Sequence, residues 1–97
     1  MAETGFDWDD FNRDHVEDHG VSDAEAEQAY GDPARKPAPA YTSVSGEARR
    51  AITGATLAGR VLYVVCTVRE HRVRIVTARD ATKDERSQYR AKKGRKK

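Results

Sequence analysis

Cysteine occurs once in the 97 residues, at Cys66. A single thiol excludes a disulfide framework and a multi-thiolate zinc site, and a reduced, cytoplasmic setting is the expectation. Long apolar runs are also missing. Nothing approaches the roughly 18 residues of a membrane span, and no apolar segment follows Met1 to act as a secretion signal. Proline is confined to three positions, Pro33, Pro37 and Pro39. The chain is too short for a dinucleotide-binding fold or a barrel. What remains is one small domain, lean in hydrophobic residues (37%) and rich in charge (35%), yet not so polar that the whole chain should be disordered.

The formal net charge of +2 conceals a division. Residues 1–33 carry eleven acids against the single base Arg13, a balance of −10. Residues 34–97 carry five acids and seventeen bases, a balance of +12. A basic half of this kind suits an anionic partner.

The pattern along the chain predicts two helices, then strands, then a third helix. Asp7 is a helix cap for a segment that Gly20 stops, with acids in its first turn. Trp8, Phe11, His15 and His19 fall on one face of that helix, and Trp8 and Phe11 read as core residues. Ser22 and Glu25 form a capping box for the second helix, which Gly31-Asp32-Pro33 ends. Residues 33–46 read as a loop with an edge strand near Tyr41–Val44. A strand is expected over Arg49–Ala55. Val61–Val68 is an unbroken β-branched and apolar run, as a central strand requires. After a tight link at Arg69-Glu70-His71, alternation resumes, with Val73, Ile75 and Thr77 on one face and Arg72, Arg74 and Val76 on the other. Thr82 and Glu85 form a second capping box for a helix running toward Tyr89, and residues 91–97 read as a basic tail. The expected architecture is α+β, with N-terminal helices on a three- to four-stranded antiparallel sheet and a C-terminal helix, in a single domain over residues 1–90.

Several short motifs recur in a specific order. Phe6-Asp7-Trp8-Asp9 and Asn12 precede Asp18-His19-Gly20-Val21-Ser22 and Tyr30-Gly31-Asp32-Pro33. Glu47-Ala48-Arg49, Gly59-Arg60, Arg74–Arg79, Ala81-Thr82 and Glu85-Arg86 follow, with Tyr89 last. Over residues 6–90 this closely resembles the BrnT toxin family of bacterial toxin–antitoxin systems. The resemblance implies a RelE-like fold and a metal-independent endoribonuclease. It implies as partner a BrnA-like antitoxin with a ribbon-helix-helix region, and operator DNA bound only through the toxin–antitoxin complex. No cofactor, no metal and no membrane enter this expectation. The sequence departs from the family pattern at Asp18, where a basic residue is common, at Glu70-His71, where glycine is usual, and at Asp23, where an aromatic is usual. The alternative function is a catalytically weak or inactive homologue that binds the antitoxin and regulates the operator.

Metal-independent RNA cleavage needs a base for the ribose 2′-hydroxyl, a cation for the transition state and an acid for the leaving oxygen. Arginine suits the cation role because its planar fork binds phosphate bidentately. Arg79, at the end of the last strand, is the leading candidate, with an ion pair to Glu85 as the competing reading. Arg49 matches the family's Glu-x-Arg pattern, and Glu47 is placed to act as a base or to orient it. His19 matches the family's His-Gly, and an imidazole can take or give a proton near neutral pH; helix capping before Gly20 competes. Arg74, Lys83 and Arg86 are candidates for RNA phosphate. Tyr63 and Tyr89 read as packing residues and Cys66 as an inert buried thiol.

Overall fold

The computed structural model describes residues 5–38 and 49–94. Two short helices come first, α1 (Asp10–Asp18) and α2 (Asp23–Tyr30). Four strands follow, β1 (Lys36–Ala38), β2 (Arg50–Ala55), β3 (Val61–Arg69) and β4 (Arg72–Asp80), and then α3 (Lys83–Gly94). The strands form an antiparallel meander in the order β1-β2-β3-β4. The architecture is the expected α+β class, with four strands.

Helix α1 is capped two residues later than expected. Asp9 is the N-cap, and Asn12 completes a capping box with it. Asp9 accepts from the Asn12 amide, while the Asn12 side chain accepts from the Asp9 amide. Asn12 also donates to the carbonyls of Asp7 and Ile75, both at 2.9 Å, which pins α1 to β4. The buried stripe is therefore Asn12 and Val16, one helical turn apart. Phe11 is 76% exposed, a correction to its reading as core. His15 and His19 lie outside with it. Trp8 packs partly buried against the core, and its indole donates to Glu27 at 2.7 Å.

Helix α2 carries the expected Ser22–Glu25 capping box. Its Ala26 and Ala29 join Val16 and Val21 over Leu62, Val64, Cys66, Val73, Ile75 and Ala78. Alanine permits close approach, and Gly54 permits more: a Cβ there would lie 2.1 Å from the Ala29 carbonyl oxygen. Cys66 is buried, as expected.

The edge strand β1 sits at Lys36–Ala38, paired with Ala51–Thr53; the expected segment 41–44 lies outside the described residues. Glu70 and His71 link β3 to β4 with positive φ at both positions (51° and 67°), as the favoured two-residue hairpin turn demands. The strict alternation expected of β4 fails midway. Cys66 pairs with Ile75 but Val65 pairs with Thr77, so Val76 is an extra residue in a β-bulge. Ala78, rather than Thr77, then enters the core.

The opposite face of the sheet receives α3. Ala81 and Tyr89 pack on Val61, with Ala55 alongside. The Tyr89 hydroxyl donates to Asp32, whose carboxylate also accepts from the amides of Ala34 and Ala55, both at 2.8 Å. Burial, then the bond to Asp32, pushes the Tyr89 phenol up to about 12. Helix α3 continues to Gly94, into the segment read as a tail. No helix among the described residues is long and apolar enough to cross a membrane.

Candidate functional site

Strand register places the candidate arginines. Thr67 pairs with Arg74, and Arg50 pairs with Cys66, so Arg49, one residue earlier, is in line with Thr67. Tyr63 pairs with Thr53 and Arg79. Residues 63, 65 and 67 share a face because side chains alternate along a strand. Arg49, Arg74 and Arg79 thus belong to the face opposite α1 and α2. Without the bulge at Val76, Arg74 and Arg79 would point to opposite faces, their numbers differing by an odd count. The two rows, at Thr67 and at Tyr63, are separated by about 13 Å along the strand.

In the first row, a cleft of about 110 Å³ is lined by Arg49, Arg69, Arg74, Thr67, Asn12 and Phe11, among others. Arg74 is 12% exposed and is held by Asp7 at 3.7 Å and Asp9 at 3.2 Å. The hydrogen bond from Arg74 holds the Asp9 carboxyl below its usual range. Arg74 therefore shapes the wall of the cleft, and its reach to phosphate is indirect. Arg49 also borders a broader depression with Pro37, Ala38 and Arg50.

In the second row, Arg79 lies over the Tyr63 ring, 4.1 Å from its centroid. Its two terminal nitrogens donate to the two carboxylate oxygens of Glu85 at 2.9 and 3.0 Å. The ion pair anticipated as the competing reading is present, and the Arg79 side chain remains 37% exposed. The same bond holds Glu85 below the usual carboxylate range and Arg79 firmly charged. Glu85 serves twice, because it also closes the α3 capping box with Thr82. Arg86 donates to the Ala81 carbonyl at 2.7 Å and so anchors the first turn of α3, whereas Lys83 in that turn is exposed.

His19 caps the end of α1 and stacks obliquely on His15, with centroids 5.5 Å apart. It belongs to the helical layer, not to the arginine face. Glu47 lies outside the described residues. Asp18 is exposed at the end of α1, and Asp23 is paired with Arg13 at 3.1 Å.

Three residues beyond the predicted set matter here. Arg60 donates to Asp80 at 2.7 Å, to the Gly20 carbonyl at 2.9 Å and to Glu25 at 3.1 Å, tying the α1–α2 turn to the strand ends. Its bond to Asp80 lowers that carboxyl. Arg69 joins the cleft, and Tyr63 supplies the platform under Arg79. The signal for Tyr63 was its place in a central strand, two residues into the run after Gly59-Arg60. No group of three or more metal-ligating side chains gathers among the described residues.

A rigidly held cation flanked by a carboxylate and a phenol can stabilise a phosphate anion without reorganising. A family model described as the ribonuclease toxin BrnT of type II toxin–antitoxin systems matches residues 8–85. No curated protein matches the chain. With the family match running from the approach to α1 through the Arg79–Glu85 clamp, this chain belongs to the BrnT ribonuclease toxins of type II toxin–antitoxin systems.

Proposed function

We propose that this toxin cleaves RNA as a metal-independent, RelE-like endoribonuclease, the ribose 2′-oxygen attacking the adjacent phosphate to leave a 2′,3′-cyclic phosphate and a free 5′-hydroxyl. Arg79 is the transition-state cation. The observation that carries this reading is its fixed posture: a bidentate clamp to Glu85 and a stack on Tyr63, with more than a third of the side chain still in solvent. Arg49, two strands across and about 13 Å further along the strand direction on the same face, holds a phosphate further along the RNA. Lys83 and Arg86 add positive potential beside Arg79, and Arg74 orders the wall of the cleft. Of the two proton-transfer candidates, Glu47 takes the role and the pH profile of Glu47→Gln tests it, with His19→Ala, a change in the helical layer, as the control. The partner is a BrnA-like ribbon-helix-helix antitoxin, and the toxin reaches operator DNA only within that complex. The test is incubation of purified protein with defined RNA, with and without a chelator. Cyclic phosphate ends that persist in the chelator support the mechanism. Linear phosphate ends, or cleavage abolished by the chelator, overturn it.

A further inference from the structure

Arg79 meets Glu85, Asp80 and Tyr63 at once, and these contacts leave one edge of its guanidinium open. A guanidinium carries five N–H donors in a single plane. Nη1 uses both of its donors, one on Glu85 at 2.9 Å and one on the Asp80 carbonyl at 3.1 Å. Nη2 uses one donor on the other Glu85 oxygen at 3.0 Å. The Tyr63 ring covers a face of the plane. The second Nη2 donor and the Nε donor have no acceptor among the described residues. Those two point the same way, along the edge that Glu85 does not occupy, and such a pair matches two oxygens of one phosphate.

Glu85 decides which edge is left. Its Oε1 also accepts from the Thr82 amide at 2.9 Å, while its own amide donates to the Thr82 hydroxyl at 3.2 Å. The carboxylate is therefore anchored in the first turn of α3, and Arg79 on β4 cannot turn its guanidinium without breaking the clamp. We infer that Glu85 is a positioning residue, holding Arg79 so that its Nε–Nη2 edge receives the scissile phosphate and meets the charge that develops there. This rests on the ribonuclease reading above and adds to it a residue and an orientation. The phosphate binds beside the Arg79–Glu85 pair and does not displace it.

Glu85→Gln separates positioning from support of the helix. Glutamine serves in a capping box as glutamate does, but an amide has a single acceptor oxygen. With that oxygen on the Thr82 amide, its NH2 group faces Nη2, donor against donor. In the full-length toxin, kcat should fall about 10- to 100-fold, as lost alignment does. Binding of 2′-O-methyl RNA, which is not cut, should be no weaker than in wild type, because a negative charge has left the site. Thr82→Ala is the control: it removes the capping hydroxyl and keeps the clamp, so kcat should stay near that of wild type. In wild type, the ¹⁵N resonance of the Arg79 Nε–H should move when 2′-O-methyl RNA binds, a reading that needs no variant. A kcat unchanged or raised in Glu85→Gln overturns the inference. So does an equal loss in Thr82→Ala, a deficit lying wholly in RNA binding, or an Nε–H signal that RNA leaves unmoved. Failure of the nuclease reading is separately visible. Wild type that leaves RNA uncut removes the mechanism and this role together, whereas equal cutting by wild type and Glu85→Gln removes only the role.

Discussion

Gly54→Ala adds one methyl group at the tightest contact between the helical layer and the sheet. That carbon would lie 2.1 Å from the Ala29 carbonyl oxygen and 3.0 Å from its carbonyl carbon. Carbon–oxygen contacts become acceptable at about 3.3 Å. Helix α2 must therefore retreat by about 1.2 Å, or β2 must bow away by as much. The obstacle is backbone, so no rotamer change relieves it, and Ala29→Gly gives no rescue. The retreat opens a gap beneath Ala26, Ala29 and Val21, all buried against the central strands. A radial gap of about 1 Å forfeits up to about half of each dispersion contact it separates. Overpacking of this kind costs about 1–3 kcal/mol, and a backbone clash belongs at the upper end. For a domain of this size about 3 kcal/mol corresponds to a fall in Tm of about 12–24 °C. Thermal and urea unfolding followed by circular dichroism read it directly. Gly31→Ala is the control: its Cβ would meet the Glu27 carbonyl at 3.4 Å, an ordinary contact, so its stability should stay within about 0.5 kcal/mol of wild type. A Gly54→Ala protein melting within 3 °C or so of wild type would refute the close-packing argument.

Further outcomes follow from the same contacts. Arg79→Ala should lower kcat/KM for RNA by about 10²–10³-fold, as loss of a transition-state donor does, while the partly exposed pair with Glu85 contributes no more than about 1 kcal/mol to stability. Arg79→Lys should recover little, because one ammonium cannot reproduce the two-pronged bond to Glu85; full activity in either variant contradicts the assignment. Asn12→Ala should destabilise by about 2–3 kcal/mol, since it leaves the Ile75 carbonyl unsatisfied and removes half of a capping box. Asn12→Asp should not rescue, because a carboxylate has no proton to donate to Ile75. Tyr89 keeps its proton in the folded chain up to about 12, against an ordinary 10.0. Its stabilising contribution is thus complete below pH 10 and fades as pH rises from 10 to 12. Urea titrations across that window should show wild-type stability falling more steeply than that of Tyr89→Phe; parallel curves would remove Tyr89 from the linkage.

Local chemistry was legible and long-range geometry was not. The boxes at Ser22–Glu25 and Thr82–Glu85 are written within four residues, and both form as read. The start of α1 was harder because Asp7, Asp9 and Asp10 all offer capping oxygens. Asn12 decides in favour of Asp9, through a bond to Ile75 that no local pattern announces. Phe11 was misassigned for the same reason. A polar residue with a distant partner takes the buried position, and the aromatic beside it is turned outward. Strand β1 escaped notice because three residues around Pro37 carry too little alternation. The Arg79–Glu85 pair was legible as the competing reading, but neither spacing nor charge shows that the clamp leaves more than a third of the Arg79 side chain exposed.

The extra residue at Val76 has a bearing on how the chain finds its pairing. Closure of the Glu70-His71 turn zips β3 to β4 as far as Cys66 and Ile75, and up to that point nothing calls for a skip. Simple continuation would set Val65 against Val76 and carry Arg79 opposite Leu62, which is fully buried beneath the helices. A guanidinium there would take the place that Asp80 holds beside Arg60, setting two cations together and giving up the clamp to Glu85. The misaligned hairpin is thus penalised at its far end, by the same arginine that the nuclease reading assigns to RNA. Arg79 acts as a gatekeeper of registration during folding. An apolar residue in its place would remove the charge proposed for RNA cleavage and, with it, the barrier that rejects the wrong alignment.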